Sequence, residues 1–589
     1  MPVFNIPSMI LNMMPFHLIP QKRITCLSLF TLLLLSFGCT SGGLKTDFQP
    51  VKSVAYFDFF DYRGMDEFYE NSPLEQEDQF YNPILPGWYS DPSICRTGDD
   101  YFLVTSSFAY FPGVPIFHSK DLVNWTQIGH VLDRPSQLPL EGQGITRGIF
   151  APAISYNEHN QTYYMITTNV ERGNFYVTTR DPFGAWSDPV WLPEVQGIDP
   201  SFFFDEDGKA YIVNNDAPEG TPLYEGHRAL RIQEFDVESG QVFGPRPVIV
   251  NGGVNLEEKP IWIEGPHIYK IKGEYYLMAA EGGTGPQHSE VIFKSRQPMG
   301  PYIPWDQNPI LTQRHLDPDR EDPVTCAGHA DLVQTPEGDW WAVFLACRPI
   351  DGEFENLGRE TFLMPVRWSD DGYPYMTRGE EVVPMILEKE GAVRGEQVTF
   401  GNFEVRDDFN GDSMGLQWMT LRAPADDLWS LTDQPGYLAL DCTPLKATDP
   451  VTPALIIRRI QHHQFECTTR LVFDPDEQDA AGLLLLKDEG HQYFLSISKS
   501  EDGCEAALLK ISSEGHEKLA AKAMEPGTES LGLRVVSHGK TLEFYVAGDS
   551  DEWELLIGDV EAYFLSTAHA GGFTGTTIGM YATKFPSDQ

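Results

Sequence analysis

The sequence predicts an all-β protein in which a five-bladed β-propeller is followed by a β-sandwich. Three observations support this prediction. A short apolar run, a turn rich in Gly, Asp or Asn, and an aromatic-rich run recur five times between residues 78 and 395. A different pattern, in which apolar and polar residues alternate, begins near residue 400. Signals for helices are sparse along the whole chain.

Each repeat unit starts at an acid, a proline or a histidine. The unit starts are residues 91, 152, 199, 264 and 329, so the steps between them are 61, 47, 65 and 65 residues. A unit of this length has room for about four short strands, as in the blade of a propeller around a central channel. An ordinary β-sandwich with recurring hairpins would explain the turns, but not the residue types at the unit starts.

Three of the units begin with a carboxylate. Asp91 lies in the motif YSDPSI, Asp199 in GIDPSF and Glu264 in WIEGPH. Taken alone, an Asp before Pro is more commonly a turn residue, and such a Glu is more commonly a solvated loop residue. Equivalent places in a radial repeat would instead point all three acids at one centre. Glycoside hydrolysis needs an acid for the leaving oxygen and a carboxylate on the other face of the sugar.

The chain is strongly acidic. Its 589 residues include 86 Asp and Glu against 42 Lys and Arg, which gives a formal net charge of −44. Such a polyanion would be repelled by nucleic acid, so we expect no nucleic-acid partner. A soluble extracytoplasmic surface explains most of the charge. Beyond the N-terminal segment the cysteines form no CxxC or zinc-type spacing; we interpret them as small buried residues, with one disulfide left open.

Residues 1–39 resemble a lipoprotein-type signal peptide. A basic pair is followed by an apolar run from Ile24 to Phe37, 14 residues that are too few to span a membrane comfortably. Cys39 would then be the lipidated first residue of the mature chain. This predicts an extracytoplasmic protein of a bacterium, periplasmic or on the outer surface, that contacts membrane only through its lipid anchor. A plain cleaved signal peptide and an uncleaved anchor are the alternatives.

The remaining sequence divides into three parts. Residues 40–77 are mixed and acidic toward their end, which favours a tether. Residues 78–395 hold the repeats of the propeller. Residues 400–589 are predicted to form the sandwich, because apolar and polar residues alternate in stretches such as Cys467–Phe473 and Leu531–Val536. A chain of 589 residues is too long for one core, so more than one domain is expected.

Six stretches resemble glycoside hydrolase family 43, the family of β-xylosidases and α-L-arabinofuranosidases, and they occur in the family's order. The C-terminal segment, including the motif GGFTG, resembles the concanavalin-like sandwich (jelly roll) of that family's xylosidases. The resemblance covers about residues 78–589. The six stretches are residues 82–94, 111–125, 197–201, 264–267, 328–331 and 357–361.

The resemblance implies an inverting mechanism. Asp91 would be the general base that activates water, Glu264 the general acid, and Asp199 a modulator of the pKa of Glu264. Elementary chemistry agrees, because an inverting pair is held about 6.5–9.5 Å apart to admit a water. A neighbouring carboxylate and an apolar setting would both keep Glu264 protonated.

The resemblance also implies the groups that hold the sugar. Arg359 would bind substrate, although a surface salt bridge is its alternative. His329 would lie on the channel axis and hold a water or, through water, a calcium ion; its alternative is a hydrogen-bonded core histidine. No cofactor is required. The other implied contacts are Phe108, Phe150 and Ala151 around the non-reducing sugar, Trp88 at the mouth, and Phe573 reaching across from the sandwich.

The leading hypothesis is an exo-acting inverting glycoside hydrolase. It would release terminal xylose, arabinofuranose or both from plant hemicellulose oligosaccharides. One alternative is a retaining five-bladed fructan hydrolase, whose two carboxyl groups would be only about 5–5.5 Å apart. Another is a sugar-binding surface lipoprotein without catalysis. The sequence leaves open which sugar is released and which oligomeric state is formed.

Overall fold

The computed structural model describes residues 50–395, 398–501, 503–550 and 552–585. The predicted signal peptide over residues 1–39 and the lipidation at Cys39 lie outside these residues. The described part is all-β, and none of its helices is long and apolar enough to cross a membrane. Its helices are single turns: α-helices Glu67–Asn71 and Thr567–Ala570, and 3-10 helices Leu256–Glu258 and Tyr563–Leu565.

Five antiparallel sheets follow one another along residues 93–365, and four of them are built from consecutive strands, while sheet 1 leaves out the short strand Tyr110–Phe111. Sheet 1 contains Ser93–Thr97, Asp100–Val104, Gly113–Ser119 and Thr126–Leu132. Sheet 2 contains Ile149–Asn157, Thr162–Asn169, Gly173–Thr179 and Val190–Trp191. Sheet 3 contains Ile198–Phe204, Ala210–Asp216, Ala229–Asp236, Gln241–Phe243 and Val248–Asn251. Sheet 4 contains Glu264–Ile271, Glu274–Glu281, Ser289–Ser295, Ile303–Pro304 and Leu311–Thr312. Sheet 5 contains Thr325–Gln334, Trp340–Cys347 and Glu360–Pro365.

The first strands of the five sheets are neighbours. Each packs against the first strand of the next sheet, and the first strand of sheet 5 packs against that of sheet 1. Apolar side chains fill the spaces between adjacent sheets; Met278 and Phe344, for example, share one buried cluster between sheets 4 and 5. This arrangement brings the N-terminal ends of the five first strands together.

A left-handed residue stands in the N-terminal part of each first strand or, in sheet 1, two residues before it. The φ angles are 55° at Asp91, 39° at Ala151, 52° at Asp199, 56° at Gly265 and 52° at His329. In sheets 2 to 5 the strand register also shifts at this point, as at a β-bulge. Positive φ is uncommon for residues with a side chain and is concentrated at functional sites. The repeat therefore places one unusual backbone position per sheet at the common centre.

This structural equivalence corrects two predicted unit starts by one residue. The second unit starts at Ala151 rather than at residue 152. In the fourth unit the residue equivalent to Asp91 and Asp199 is Gly265, so Glu264 stands one position earlier. The sequence alone did not reveal that Glu264 is offset by one residue, because all three acids lie within two residues before a proline.

Two larger sheets form the sandwich. Sheet 6 contains, in spatial order, Trp429–Ser430, Leu438–Asp441, Val54–Gly64, Gln464–Phe473, Leu531–His538, Thr541–Ala547 and Glu554–Glu561, with Glu404–Asp407 beside Val54–Gly64. Sheet 7 contains Ala454–Arg459, Thr577–Lys584, Asp479–Asp488, His491–Ser500, Gly503–Ser512 and Gly515–Ala523. Their inner faces share one core, to which Leu471 contributes from sheet 6 and Leu495 from sheet 7. Gln464–Phe473 alternates strictly between buried and less buried residues, as predicted for a sheet with one face in the core.

The predicted tether over residues 40–77 is wrong for its central part. Val54–Gly64 is an inner strand of sheet 6, paired on one side with Gln464–Phe473. Phe57, Phe60 and Tyr62 are fully buried in the core of the sandwich. The sandwich is therefore assembled from both ends of the described chain, and the predicted range of residues 400–589 lacks one of its strands.

A short strand pair joins the two regions: Tyr110–Phe111, from the repeat region, pairs with Thr420–Leu421, which lies between the sandwich strands Glu404–Asp407 and Trp429–Ser430 in the chain. Two other short pairs lie within the repeat region, Gln79–Tyr81 with Ile386–Glu388 and Arg367–Trp368 with Pro374–Tyr375. Arg459 of sheet 7 donates a hydrogen bond to the carbonyl of Trp88 at 3.0 Å. The sandwich is thereby fixed against the residues that lead into Asp91.

Candidate active site

The three predicted carboxylates lie together in one buried centre. Asp91 and Asp199 are each 6% exposed, and Glu264 is 7% exposed. The charges of Asp91 and Asp199 both act on Glu264, and Arg359 acts on all three acids. The carboxyl groups therefore influence one another's protonation.

Asp91 is held as an ionised carboxylate. Burial by itself would raise its pKa, but Arg359 and His329 more than offset that effect, and the pKa of Asp91 falls below its usual value. Arg359 Nη1 donates to Asp91 Oδ1 at 3.0 Å, and His329 Nδ1 lies 3.8 Å from the same oxygen. The hydroxyl of Ser106 donates to Asp91 Oδ2 at 2.5 Å. An ionised carboxylate can accept a proton from water.

Ser106 is a site residue that the sequence analysis missed. Besides binding Asp91, its oxygen accepts a hydrogen bond from the backbone N–H of Ala151 at 2.8 Å. It therefore joins the starts of the first two units. The available signal was a run of three hydroxyl residues, Thr105 to Ser107, directly after the apolar strand Asp100–Val104. Ala151, predicted to line the sugar subsite, is 6% exposed and holds Ser106 through its backbone.

Asp199 and Glu264 are shifted in the opposite direction from Asp91. Burial and the charge of Asp91 raise the pKa of Asp199 to about 7. Burial, followed by the charges of Asp199 and Asp91, raises the pKa of Glu264 well above its usual value. Since the two groups titrate together, their protons belong to the pair. At neutral pH this pair retains a proton that can be donated, while Asp91 does not.

Arg228 is a second residue that the sequence did not reveal. Its charge counteracts the raised pKa values of both Asp199 and Glu264. Arg228 donates twice to Asn215 Oδ1, at 3.0 and 2.9 Å, and Asn215 Nδ2 donates to the carbonyl of Ile263 at 2.6 Å. This chain of contacts fixes the backbone immediately before Glu264. Nothing in the local sequence distinguishes Arg228 from a surface arginine.

The one-residue offset of Glu264 has a chemical consequence. Asp91 and Asp199 occupy the left-handed position of their units, whereas Glu264 precedes that position. A side chain displaced by one residue along a strand start leaves the backbone in a different direction. The Glu264 side chain can thus enter the centre from another side than the side chains of Asp91 and Asp199.

His329 is buried, 6% exposed, and stands at the left-handed position of the fifth unit. Burial lowers the pKa of His329 to about 4, so the imidazole is neutral at neutral pH. Calcium takes six to eight oxygen ligands, and His329 offers a nitrogen. The described residues contain no group of three or more His, Cys, Asp or Glu side chains that could hold a metal. These residues do not form a calcium site by themselves, so a calcium ion held through water stays a prediction.

Arg359 links the two regions of the molecule. Besides Asp91, it donates to the carbonyl of Phe573 at 3.4 Å, and its guanidinium lies 5.5 Å from the centre of the Phe573 ring. The Phe573 ring also packs edge-on against Phe150, with centroids 5.3 Å apart. Phe150 and Phe573 are both half-buried. The loop of the sandwich therefore forms one wall beside the carboxylates, where Phe573 was predicted to reach.

Two predicted wall residues are buried behind that surface. Trp88 and Phe108 are 0% exposed, so neither lines the mouth or the sugar subsite as predicted. Phe108 supports Phe150 from behind, with ring centroids 5.4 Å apart. Trp88 packs on Tyr110 and lies under the guanidinium of Arg459, 3.9 Å from its ring centre. Trp88 was predicted at the mouth and Phe108 at the subsite for the non-reducing sugar, but both rings are packed in one buried cluster with residues of sheet 7.

A cavity of about 400 Å³ opens beside Arg359 and Phe573. Its walls come from the loop Thr284–Pro286, from Arg314 and Arg320, and from two cysteines, Cys326 and Cys347. The cavity lies where the repeat region meets the sandwich, and Arg359, which lines it, joins it to the carboxylate centre through Asp91.

A buried ionised carboxylate paired with a guanidinium, beside a buried carboxylic acid that keeps its proton, provides the groups that an acid–base hydrolase of glycosides requires. Residues 80–374 match the model of the glycosyl hydrolases family 43. Residues 406–589 match the concanavalin A-like C-terminal domain of beta xylosidases. The chain belongs to glycosyl hydrolase family 43.

Similar proteins cover most of the chain. It is 39% identical over 518 residues to the non-reducing end alpha-L-arabinofuranosidase BoGH43B of Bacteroides ovatus, an alignment that covers 86% of this chain and 91% of that protein. A xylosidase/arabinosidase of Butyrivibrio fibrisolvens is 38% identical, with 85% and 95% covered. The crystal structure of a GH43_12 protein from a capybara gut metagenome superposes with a TM-score of 0.84 at 42% identity, covering 90% of this chain and 99% of that one.

Proposed function

We propose that this protein is an exo-acting, inverting glycoside hydrolase that releases terminal xylose or arabinofuranose from hemicellulose oligosaccharides. The observation that carries this proposal is the opposite protonation of the acids within one centre. The pKa of Asp91 is lowered, while that of Glu264 is raised well above its usual value. Relatives named as arabinofuranosidases and xylosidases support the substrate class.

In the proposed reaction a water attacks the anomeric carbon while the glycosidic bond breaks. Asp91 takes one proton from this water, and Glu264 gives its proton to the departing oxygen. The product sugar and the shortened oligosaccharide leave, after which Glu264 regains a proton and Asp91 loses one to solvent. General acid and base groups of this kind each contribute about 10²–10⁴-fold to the rate.

Asp199 and Arg359 adjust the two reacting acids. The negative charge of Asp199 helps Glu264 keep its proton until the leaving oxygen takes it. Arg359 favours the ionised form of Asp91 and presents donors to sugar hydroxyls. The half-buried rings of Phe150 and Phe573 offer an apolar wall to the C–H face of a sugar. A wall supplied by the sandwich beside the carboxylates supports the release of single sugars from chain ends.

The proposal also includes a five-bladed propeller, a lipid anchor and a role for His329. The closed order of contacts among the five first strands supports a five-bladed propeller. The basic and apolar segment before Cys39 supports a lipid-anchored, extracytoplasmic enzyme. The neutral, buried His329 supports a role in placing water or sugar near Asp91.

The acid can be tested with substrates that differ in their leaving groups. Replacing Glu264 with alanine should reduce kcat/KM on unactivated xylobiose by about 10²–10⁴-fold. The loss should be much smaller on a dinitrophenyl xyloside or arabinofuranoside, whose leaving group needs no proton. Glu281→Gln is the matched control, because Glu281 is another buried glutamate of sheet 4 with a raised pKa. Equal losses on both substrates would contradict the role of Glu264.

A further inference from the structure

Two cysteines line the cavity beside Arg359. Cys326 is half-buried and Cys347 is buried, and both are free thiols among the described cysteines. They share the wall of the cavity with Arg359 and Phe573. The proposed reaction uses neither of them, although they stand next to the groups that hold Asp91.

The backbone turns the two thiols toward each other. Thr325, not Cys326, is the residue paired with Cys347 across sheet 5. Successive side chains of a regular strand point to opposite faces, so a regular Cys326 would face away from Cys347. Cys326 instead has a φ of 58°, and the strand register shifts between Thr325 and Gly328. Both side chains therefore line the same cavity, and each thiol is close enough to alter the pKa of the other.

The pair also has unequal chemical environments. The neighbouring Cys347 thiol lowers the pKa of Cys326, and the nearby charge of Arg359 acts in the same direction. The proximity of Cys326, together with burial, raises the pKa of Cys347. Thiolates rather than thiols attack disulfides. Cys326, which is the more exposed of the two, is therefore suited to react first, and Cys347 to react second.

We propose that Cys326 and Cys347 are a redox-active pair that a small-molecule disulfide converts into an internal disulfide, and that this bond slows hydrolysis. The Cys326 thiolate attacks the small disulfide, forms a mixed disulfide and releases one thiolate. Cys347 then attacks the Cys326 sulfur and releases the second thiolate. Overall, two protein thiols and one small disulfide give one protein disulfide and two small thiols.

The effect on hydrolysis follows from the position of the pair in sheet 5. Ala346 pairs with Glu360, so Cys347 and Arg359 continue the same two neighbouring strands. The carbonyl oxygen of Cys326 accepts a hydrogen bond from His288 Nδ1 at 2.8 Å. The His288 ring lies against Gly328, the residue before His329. Joining the sulfurs would shift strand ends that carry Arg359 and His329. This effect on rate rests on the proposed function, whereas formation of the bond does not.

The test uses the complete protein and oxidised glutathione. After incubation and removal of the reagent, peptide mass spectrometry should find Cys326 linked to Cys347, with two hydrogens lost. The kcat/KM on a nitrophenyl xyloside or arabinofuranoside should fall by about tenfold or more, since small misplacements of catalytic groups are costly. Dithiothreitol should restore it. Reduced protein measured in parallel shows whether the proposed hydrolysis occurs at all.

Two variants complete the experiment. Cys326→Ser should neither form the bond nor lose activity with oxidised glutathione. Cys442→Ser, which removes a buried cysteine of the sandwich, should respond like the wild type. Failure to find the Cys326–Cys347 link would overturn the proposal, and so would a link that leaves kcat/KM unchanged. If Cys326→Ser folds poorly, Cys326→Ala gives the same comparison, whereas Cys347→Ser should stop at the mixed disulfide between Cys326 and glutathione.

Discussion

Replacing Arg359 with glutamine should move the acidic limb of the pH profile upward. Arg359 Nη1 is 3.0 Å from Asp91 Oδ1, and both side chains are buried. Two unit charges about 4 Å apart interact by about 4 kcal/mol at an effective dielectric constant of ~20. Since 1.36 kcal/mol corresponds to about one pKa unit, losing this interaction is worth up to about three pH units.

Removing Arg359 should raise the pKa of Asp91. In the wild type the pKa of Asp91 is lowered, so the base is ionised down to acidic pH. Without the guanidinium, burial dominates, the pKa of Asp91 rises, and the base becomes protonated at a higher pH. The hydrogen bond from the Ser106 hydroxyl remains and retains part of the stabilisation of the carboxylate. We therefore expect the acidic limb to rise by about two pH units.

The assay is kcat/KM for a nitrophenyl glycoside, measured across the acidic and alkaline range. Arg359→Lys is the matched control, because it keeps the charge but loses the planar fork that binds sugar hydroxyls. The lysine variant should lose activity at all pH values while its acidic limb stays close to that of the wild type. If the glutamine variant only lost activity, with an unmoved acidic limb, Arg359 would not control the ionisation of Asp91.

Three other perturbations test separate parts of the site. Asp199→Asn should move the alkaline limb of kcat to lower pH, because removing a negative charge lowers the pKa of Glu264; an upward move would contradict the modulating role. Phe573→Ala should raise KM for oligosaccharides by about tenfold, the size expected from losing roughly one aromatic contact, and an unchanged KM would remove Phe573 from the wall. Trp88→Ala should lower the free energy of unfolding, measured in urea, by about 3–5 kcal/mol because the ring is fully buried. A stable Trp88→Ala variant with a raised KM would place this ring at the sugar after all.

The sequence was sufficient to find the carboxylates because they belong to a repeat. The motifs around Asp91 and Asp199 place each acid directly before a proline, and the structure puts both at the same left-handed backbone position. The third acid was also found, but its offset from Gly265 was not. That offset depends on where the strand register shifts, which is a property of the paired backbone.

Contacts between segments that are distant in the chain could not be predicted from the sequence. Val54–Gly64 belongs to the sandwich because it pairs with Gln464–Phe473, about four hundred residues later in the chain. Its own pattern, with Phe57 and Tyr62 among acidic neighbours, did not distinguish an inner strand from a tether. Likewise, the position of Trp88 in the chain predicted a residue at the mouth of the site. In the structure its ring is fully buried beneath Arg459 of the sandwich.

The stereochemistry of the first product is the most direct test of the central claim, which is that Asp91 activates water while Glu264 protonates the leaving oxygen. Proton NMR can follow the reducing sugar released from a nitrophenyl β-xyloside before the anomers equilibrate. The account predicts that α-xylose appears first and that β-xylose grows in later by mutarotation. Initial release of β-xylose would show retention, which requires a covalent intermediate, and would contradict the assignment of Asp91 as the base.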